Sequence, residues 1–290
     1  MQNEGNYVKM IGSLFLNRCG MHGGRLEALM RRVVCALVLF GSLLNASPVE
    51  NPASPQLIRQ GFFIPCDSWL GIRVGYEGDF VSDARMNQTT GGSGRVDNYP
   101  QNTNSGTATF TVVDRLDVYG VFGSSRMEAD WRYSSAGTIN RAQIQSKYRF
   151  LWGVGARGIL YEWGCAVLGV GGRYSSSTPK PSWLAINGTP VSVSGGRVHW
   201  REWQIDLDLA YKIELFTPYV GIKYSNALAK LSSFPEAIAN NGSHSLHMQN
   251  RSPVGIVVGC TLSTGKYFMF NVEGRLIDEE AATVSGDLRF

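Results

Sequence analysis

The chain has 290 residues, 43% hydrophobic, 11% aromatic and 17% charged, too apolar and too aromatic for a disordered polymer. Its formal charge of +4 is uneven: Lys9, Arg18, Arg25, Arg31 and Arg32 stand against Glu4 and Glu27 near the start, and the remainder is close to neutral. With no Lys/Arg run and no stacking motif of an RNA-binding sheet, nucleic acid is excluded as a partner. Beyond residue 46 no apolar stretch approaches the roughly 18 to 20 residues of a membrane-spanning helix, which excludes a helical membrane protein.

Residues 1–46 read as a leader. Arg31-Arg32, the apolar run Val33 to Leu44 and the small residues around Ala46 form an export signal with a cut after Ala46, and Met30 would start a compact version of it. Cys35 lacks the small-residue box of a lipoprotein. The exported remainder keeps Cys66, Cys165 and Cys260. None forms a C-x-x-C pair, which argues against zinc and thioredoxin chemistry. An odd number outside the cytoplasm leaves one thiol free or paired between chains.

From about residue 70 the pattern has period two, which puts alternate residues on opposite faces of a strand. Leu70, Ile72, Val74 and Tyr76 alternate with Arg73 and Glu77. Leu116 and Val118 alternate with Arg115 and Asp117, and Tyr148, Phe150, Trp152 and Val154 with Arg149 and Arg157. From Trp203 to Leu215 every odd position is apolar, while Asp206, Asp208, Lys212 and Glu214 lie on the even face. Phe268, Phe270 and Val272 alternate with Glu273 and Arg275. The chain closes on Ala282, Val284, Gly286, Leu288 and Phe290 facing one way, and Asp287 and Arg289 the other. With 162–174, 218–225 and 253–263 also strand-like, about ten segments result.

Three stretches dense in Gly, Asn, Ser, Thr and Pro read as long loops, near 87–106, 175–196 and 225–252. Short links are expected at Phe216-Thr217-Pro218, Ser263 to Lys266 and Asp278 to Glu280. Short turns at one end and long loops at the other suit a membrane barrel. A soluble sandwich would also alternate. Aromatic residues bounding the apolar faces, the export signal and the terminal Phe290 favour the all-β, transmembrane antiparallel outer-membrane barrel, a single domain over 47–290. Strands of roughly 9–11 residues give eight to twelve of them, with ten expected.

This register predicts that Arg73, Glu77, Arg115, Asp117, Arg149, Arg157, Asp206, Asp208, Lys212, Glu214, Glu273 and Arg275 face the lumen, because Arg or Lys on the lipid face costs roughly 2 to 4 kcal/mol near the midplane. Tyr211, Ile213, Phe268, Phe270 and Leu288 are expected to face lipid. Phe290 is expected to serve as the assembly signal.

Other motifs carry little. Gly153-Val154-Gly155-Ala156-Arg157-Gly158 spells G-x-G-x-x-G, but inside a strand with no helix after it, so no dinucleotide and no cofactor is expected. His244 and His247 lie in a polar stretch without further ligands, and no metal is expected. Asn87-Gln88-Thr89, Asn187-Gly188-Thr189 and Asn241-Gly242-Ser243 read as turn formers. An omptin-type hydrolase would use Asp206 and Asp208, yet its Asp-x-His partner is missing.

The segment Val272 to Ala282, closing with Arg289-Phe290, resembles the carboxyl end of the chlamydial major outer membrane protein family. Asn51-Pro52-Ala53-Ser54-Pro55, Arg73 to Phe80, Trp152 to Arg157 with Trp163-Gly164-Cys165, Glu202-Trp203-Gln204 and Leu215 to Gly221 resemble the family's strand segments in its order. The resemblance spans about residues 48–290 and implies a porin passing small polar solutes, cysteine-linked into the envelope and often a trimer. Family members are longer and richer in cysteine. The expected partners are outer-membrane lipid, the barrel-assembly machinery and other envelope proteins or copies of the chain. A sealed structural or adhesive barrel is the alternative, because ten strands enclose little more than side chains can fill. Cys66, ahead of the first strand and beside Pro65 and Asp67, is the expected cross-link, whereas Cys165 and Cys260 read as small hydrophobes within strands.

Overall fold

The computed structural model describes residues 47–65, 68–90, 94–135, 137–193, 195–234 and 245–290. One compact unit, Leu43–Glu162 with Ala166–Phe290, carries the barrel, and of the other only Trp163–Cys165 fall among the described residues.

A strap, Ser47 to Ile58, comes first and holds one helical turn, α1 (Ser54–Leu57). The wall then rises through β1 (Leu70–Asp83) and β2 (Met86–Thr90), descends through β3 (Gly94–Asn98) and β4 (Gln101–Val112), and rises through β5 (Leu116–Ser135). It descends through β6 (Thr138–Lys147) and β7 (Arg149–Trp163) and rises through β8 (Ala166–Ser177) and β9 (Lys180–Ile186), with β10 (Thr189–Pro190) folded back on β9. β11 (Arg197–Tyr211) descends, β12 (Phe216–Ser232) rises, and β13 (Ser245–Asn250) and β14 (Val254–Ser263) descend. β15 (Phe268–Leu276) and β16 (Glu280–Arg289) complete the wall.

Pairing runs β1, β4, β5, β7, β8, β11, β12, β14, β15, β16 and back to β1, every contact antiparallel. The result is a closed barrel of ten staves, so none of the ten is an edge strand; above it the short β10 ends the path, paired with β9 alone among the described residues. Short turns at Val113–Arg115 and Lys212–Leu215 lie at the end that also carries Leu70 and Phe290, which makes it the periplasmic end.

The stretches expected as long loops are largely paired. They contain β2, β3 and the start of β4, then the end of β8 with β9 and β10, then the end of β12 with β13. Phe216-Thr217-Pro218 opens β12 instead of forming a link, and the turn precedes it. The reason lies in a switch of side-chain polarity along the staves. On β11 the outward residues below the switch are Trp203, Ile205 and Leu207, exposed on the surface, and the inward ones are Gln204, Asp206 and Asp208, buried. Above it Arg201, His199 and Arg197 point out, while Trp200 and Val198 point in. β5 repeats this, with Leu116, Val118 and Phe122 outward in the lower half and Arg126, Glu128, Asp130 and Arg132 in the upper. So does β12, where Ile222 and Tyr224 give way to Asn226.

The lower half is therefore apolar outside and polar inside, as lipid requires, and the upper half is an ordinary water-facing barrel with an apolar core. Met86, Tyr99, Met127, Trp131, Leu184 and Trp200 are among the residues that fill it. Aromatic pairs mark the boundary, with Trp203 and Tyr224 rings 5.7 Å apart and Trp152 and Tyr174 5.6 Å apart, the interfacial girdle expected of a membrane barrel. The loop-like composition of the upper strands reflects their polar outer face; it does not mark absent structure.

Candidate functional site: the charged lumen

The inward face of the lower staves carries a network of buried charges. Arg73 on β1 pairs with Asp117 on β5. Arg157 on β7 lies 3.3 Å from Asp117 and donates to Glu50 of the strap. Arg173 on β8 reaches both oxygens of Glu77 on β1, at 2.9 and 2.8 Å. Lys223 on β12 sits 3.5 Å from Asp278 and 3.3 Å from Glu279, and Arg275 on β15 binds Asp79, Glu273 and Glu279. Arg289 pairs with Asp114 at 3.1 Å. A charge buried without a partner is costly, so such a lining is stable only when paired and hydrogen-bonded in this way.

The strap threads this lumen. The amides of Val49 and Glu50 donate to Glu273, at 3.0 and 2.7 Å, and the Asn51 amide donates to Thr217 O and Thr261 Oγ1, at 2.9 and 3.1 Å. Ser47 donates to Glu202 from its backbone amide, at 2.7 Å, and from its hydroxyl. Arg73 and Arg289 donate to the carbonyls of Ser54 and Ile58. Gln56 bridges Glu162 and Lys212 at the periplasmic rim. Its apolar residues Val49, Ala53, Leu57 and Ile58 pack on Ile159, Val167, Ala210 and Tyr219. What remains beside Ser47, lined by Asp79, Arg173, Glu202 and Glu279, is a cavity of about 30 Å³, room for one or two waters. The upper core closes the lumen above it.

Of the residues assigned to the lumen from sequence, Arg73, Glu77, Asp117, Arg157, Asp206, Asp208, Glu273 and Arg275 are buried on the inner face. Three are placed otherwise. Arg115 lies exposed in the β4–β5 turn, 3.7 Å from Glu162. Glu214 lies exposed in the β11–β12 turn with φ of 45°. Arg149 is exposed at the first position of β7, next to Tyr148, although its register partner Ser125 is buried. Lys212 is half-buried at the rim, on the inner side with Gln56 and Glu162. Phe268 and Leu288 are exposed on the outer face, and Tyr211, Ile213 and Phe270 are partly covered. Phe290 donates its amide to Ile72 O at 2.9 Å and stacks on Phe63 with ring centroids 6.4 Å apart.

One cysteine, Cys165, differs from expectation. Cys165 lies in the turn after β7, not in a strand, and is disulfide-bonded. Cys260 is a free, half-buried thiol on β14, on the outer face between Val258 and Leu262. Cys66 lies outside the described residues, as do the leader and His244.

Period two also carried residues beyond those assigned: Asp79 follows Arg73 and Glu77, Glu202 precedes Gln204 and Asp206, and Lys223 follows Thr217 and Tyr219 on one face. The strap had no periodic signal, and its Asn51 to Pro55, which the resemblance grouped with strand segments, form a turn leading into α1 because Pro52 and Pro55 disfavour a ladder.

The sequence matches the family described as Chlamydia major outer membrane protein over residues 116–197, 187–242 and 233–290. The chain belongs to this family. Among curated relatives, the major outer membrane porin, serovar H, of Chlamydia trachomatis is 26% identical, with 90% of this chain and 100% of the relative covered. The serovar L3 protein of the same organism is 25% identical at the same coverage. Among solved structures, an outer membrane channel from Pseudomonas putida F1 aligns with a TM-score of 0.41 at 10% identity, covering 85% of this chain and 100% of that one. The outer membrane protease OmpT of Escherichia coli aligns at 0.37 and 11%, covering 76% and 91%. As a member of this family the barrel resides in the bacterial outer membrane.

Proposed function

We propose that the chain is a porin-like outer-membrane barrel that passes small polar solutes by diffusion and contributes to envelope structure, with the described conformation its closed state. The observation that carries the reading is the strap. It occupies a lumen lined by charged side chains and is held there by hydrogen bonds, ion pairs and packing, so it can leave without any stave of the wall unpairing. Relatives named porins support the same reading. Outer-membrane lipid meets the apolar belt, the assembly machinery reads the Phe290 end, and Cys66 links the chain to other envelope proteins or copies of itself.

A sealed structural barrel is the second reading, favoured by the apolar upper core around Trp131 and Trp200. A hydrolase is not proposed. Asp206 and Asp208 are buried in the lower lumen, and the chain has no Asp-x-His. Planar-bilayer recording of the purified chain tests the choice. Stable single-channel steps support the porin; silence from folded, heat-modifiable protein establishes the sealed barrel instead.

A further inference from the structure

We propose that Glu202 on β11 is a binding site for a primary ammonium and that its occupant is the α-amine of Ser47, freed by the cut after Ala46, so that export processing itself latches the strap in the lumen. The proposal rests on the export signal read from the sequence and stands for a porin and a sealed barrel alike. Glu202 is only 5% exposed, and among the described residues no cationic side chain lies within ion-pair range of it. The cations nearby are committed elsewhere: Lys223 to Asp278 and Glu279, Arg275 to Asp79, Glu273 and Glu279, and Arg173 to Glu77. Its register partners across the wall, Ser175 on β8 and Ala227 on β12, are neutral. A buried carboxylate in that setting lacks one positive charge.

The groups that reach Glu202 belong to Ser47. Its backbone nitrogen lies 2.7 Å from Oε1 and its hydroxyl donates to Oε2, so both carboxylate oxygens are turned on one residue. In an uncut chain that nitrogen is a neutral amide with a single proton. Hydrolysis by an export peptidase adds water across the Ala46–Ser47 bond, leaving a carboxylate on Ala46 and an ammonium on Ser47. The ammonium brings a full charge to the point where Glu202 lacks one, and the hydrogen bond becomes charge-assisted on both sides. Its further protons have beside them a cavity of about 30 Å³ lined by Asp79, Glu202 and Glu279, space for a bridging water. The backbone behind the amine is held from the same wall, Ser47 O by Lys223 Nζ at 3.5 Å and Pro48 O by Gln204 Nε2 at 2.9 Å. A carboxylate on the terminal nitrogen with donors on the first two carbonyls is a seat for the beginning of a chain. The small residues that end the export signal and the missing charge at Glu202 thus mark the same bond.

The test uses the full chain, exported through its own leader and purified from outer membranes. Its intact mass should place the first residue at Ser47, and any other start overturns the proposal. A glutamate-specific protease reaches the bond after Glu50, whose side chain is buried on Arg157, only when the strap leaves the lumen. Release of the peptide Ser47 to Glu50 therefore counts departures. The processed protein, unfolded and refolded, is compared with the same protein acetylated while unfolded at mildly acidic pH, where the lysines stay protonated and the α-amine alone reacts. Glu202→Gln is treated in the same two ways. Acetylation and Glu202→Gln should each speed release roughly tenfold or more, the worth of a charged hydrogen bond, and the two together should be no faster than either alone. Should Glu202→Gln fail to fold, the acetylated parent still reads the loss of the ammonium. Release unchanged by acetylation, or effects that multiply in the combined form, overturn the ammonium site while leaving the strap and the porin reading intact.

Discussion

Arg173 on β8 and Glu77 on β1 meet as a bidentate pair across the lumen, Nη1 to Oε2 at 2.9 Å and Nη2 to Oε1 at 2.8 Å. The two staves are not neighbours in the wall, so the pair is a strut across the lumen. Both side chains are buried. Arg173→Ala is expected to cost about 3–5 kcal/mol, because Glu77 would be left buried without its partner. Replacing both residues with apolar ones of similar volume should recover most of that loss. Urea midpoints of the folded barrel in detergent check both, and equal losses in the single and double variants would refute the strut.

The polarity switch predicts a sharp membrane boundary on β12. Ile222→Arg, on the exposed outer face of the lower half, should cost about 2–4 kcal/mol of folding free energy in bilayers. Asn226→Arg, four residues higher on the same face, should be within about 0.5 kcal/mol of the parent. Equal costs at the two positions would place the boundary elsewhere.

The upper core predicts that the extracellular half unfolds by itself. Trp131 is fully buried, and Trp131→Ala should remove about 3–5 kcal/mol of packing there. Proteolysis from the extracellular side should then cut within β2, β3 and β6 while the ring of lower staves survives. Loss of the whole barrel at the same protease dose would show the halves to be one cooperative unit.

Above the membrane, Asp97 on β3 accepts two hydrogen bonds from Arg132, both at 2.6 Å. This guanidinium holds the Asp97 carboxyl below its ordinary value of 3.8. A depressed carboxyl contributes stability above the unfolded value and loses it as pH falls through the folded one. The β2–β3 hairpin should thus stay docked at pH 5 and loosen only below pH 3.8. A carboxyl NMR titration of Asp97 with its midpoint above that value would contradict the pairing.

The fold was legible because period two survives wherever a stave separates lipid from a polar lumen, as from Trp203 to Tyr211. Registers that run straight through the bilayer put Asp206, Asp208 and Glu273 on one side of their strands, and all three are buried there. Arg115 and Glu214 escaped because they sit where strands turn, and alternation carries no information there; Arg149 escaped at the first position of β7. The upper strands were read as loops because their outer face meets water and their composition turns polar, although Trp200 and Val198 keep the period. The strap could not be read at all. Its residues are placed by partners far along the chain, Glu50 by Arg157 and Asn51 by Thr261, and such pairs leave no local pattern.

The central claim is that Ser47 to Ile58 closes the lower lumen and that conduction requires its departure together with opening of the upper core around Trp131 and Trp200. Asn51 and Thr261 hydrogen-bond at 3.1 Å between the strap and β14, so Asn51→Cys with Thr261→Cys, in a Cys260→Ser background, would tether the strap reversibly. Single-channel recording before and after reduction is the most direct measurement. Silence when oxidised and stable steps after reduction are the predicted result; steps of unchanged size and frequency with the tether closed would contradict the account.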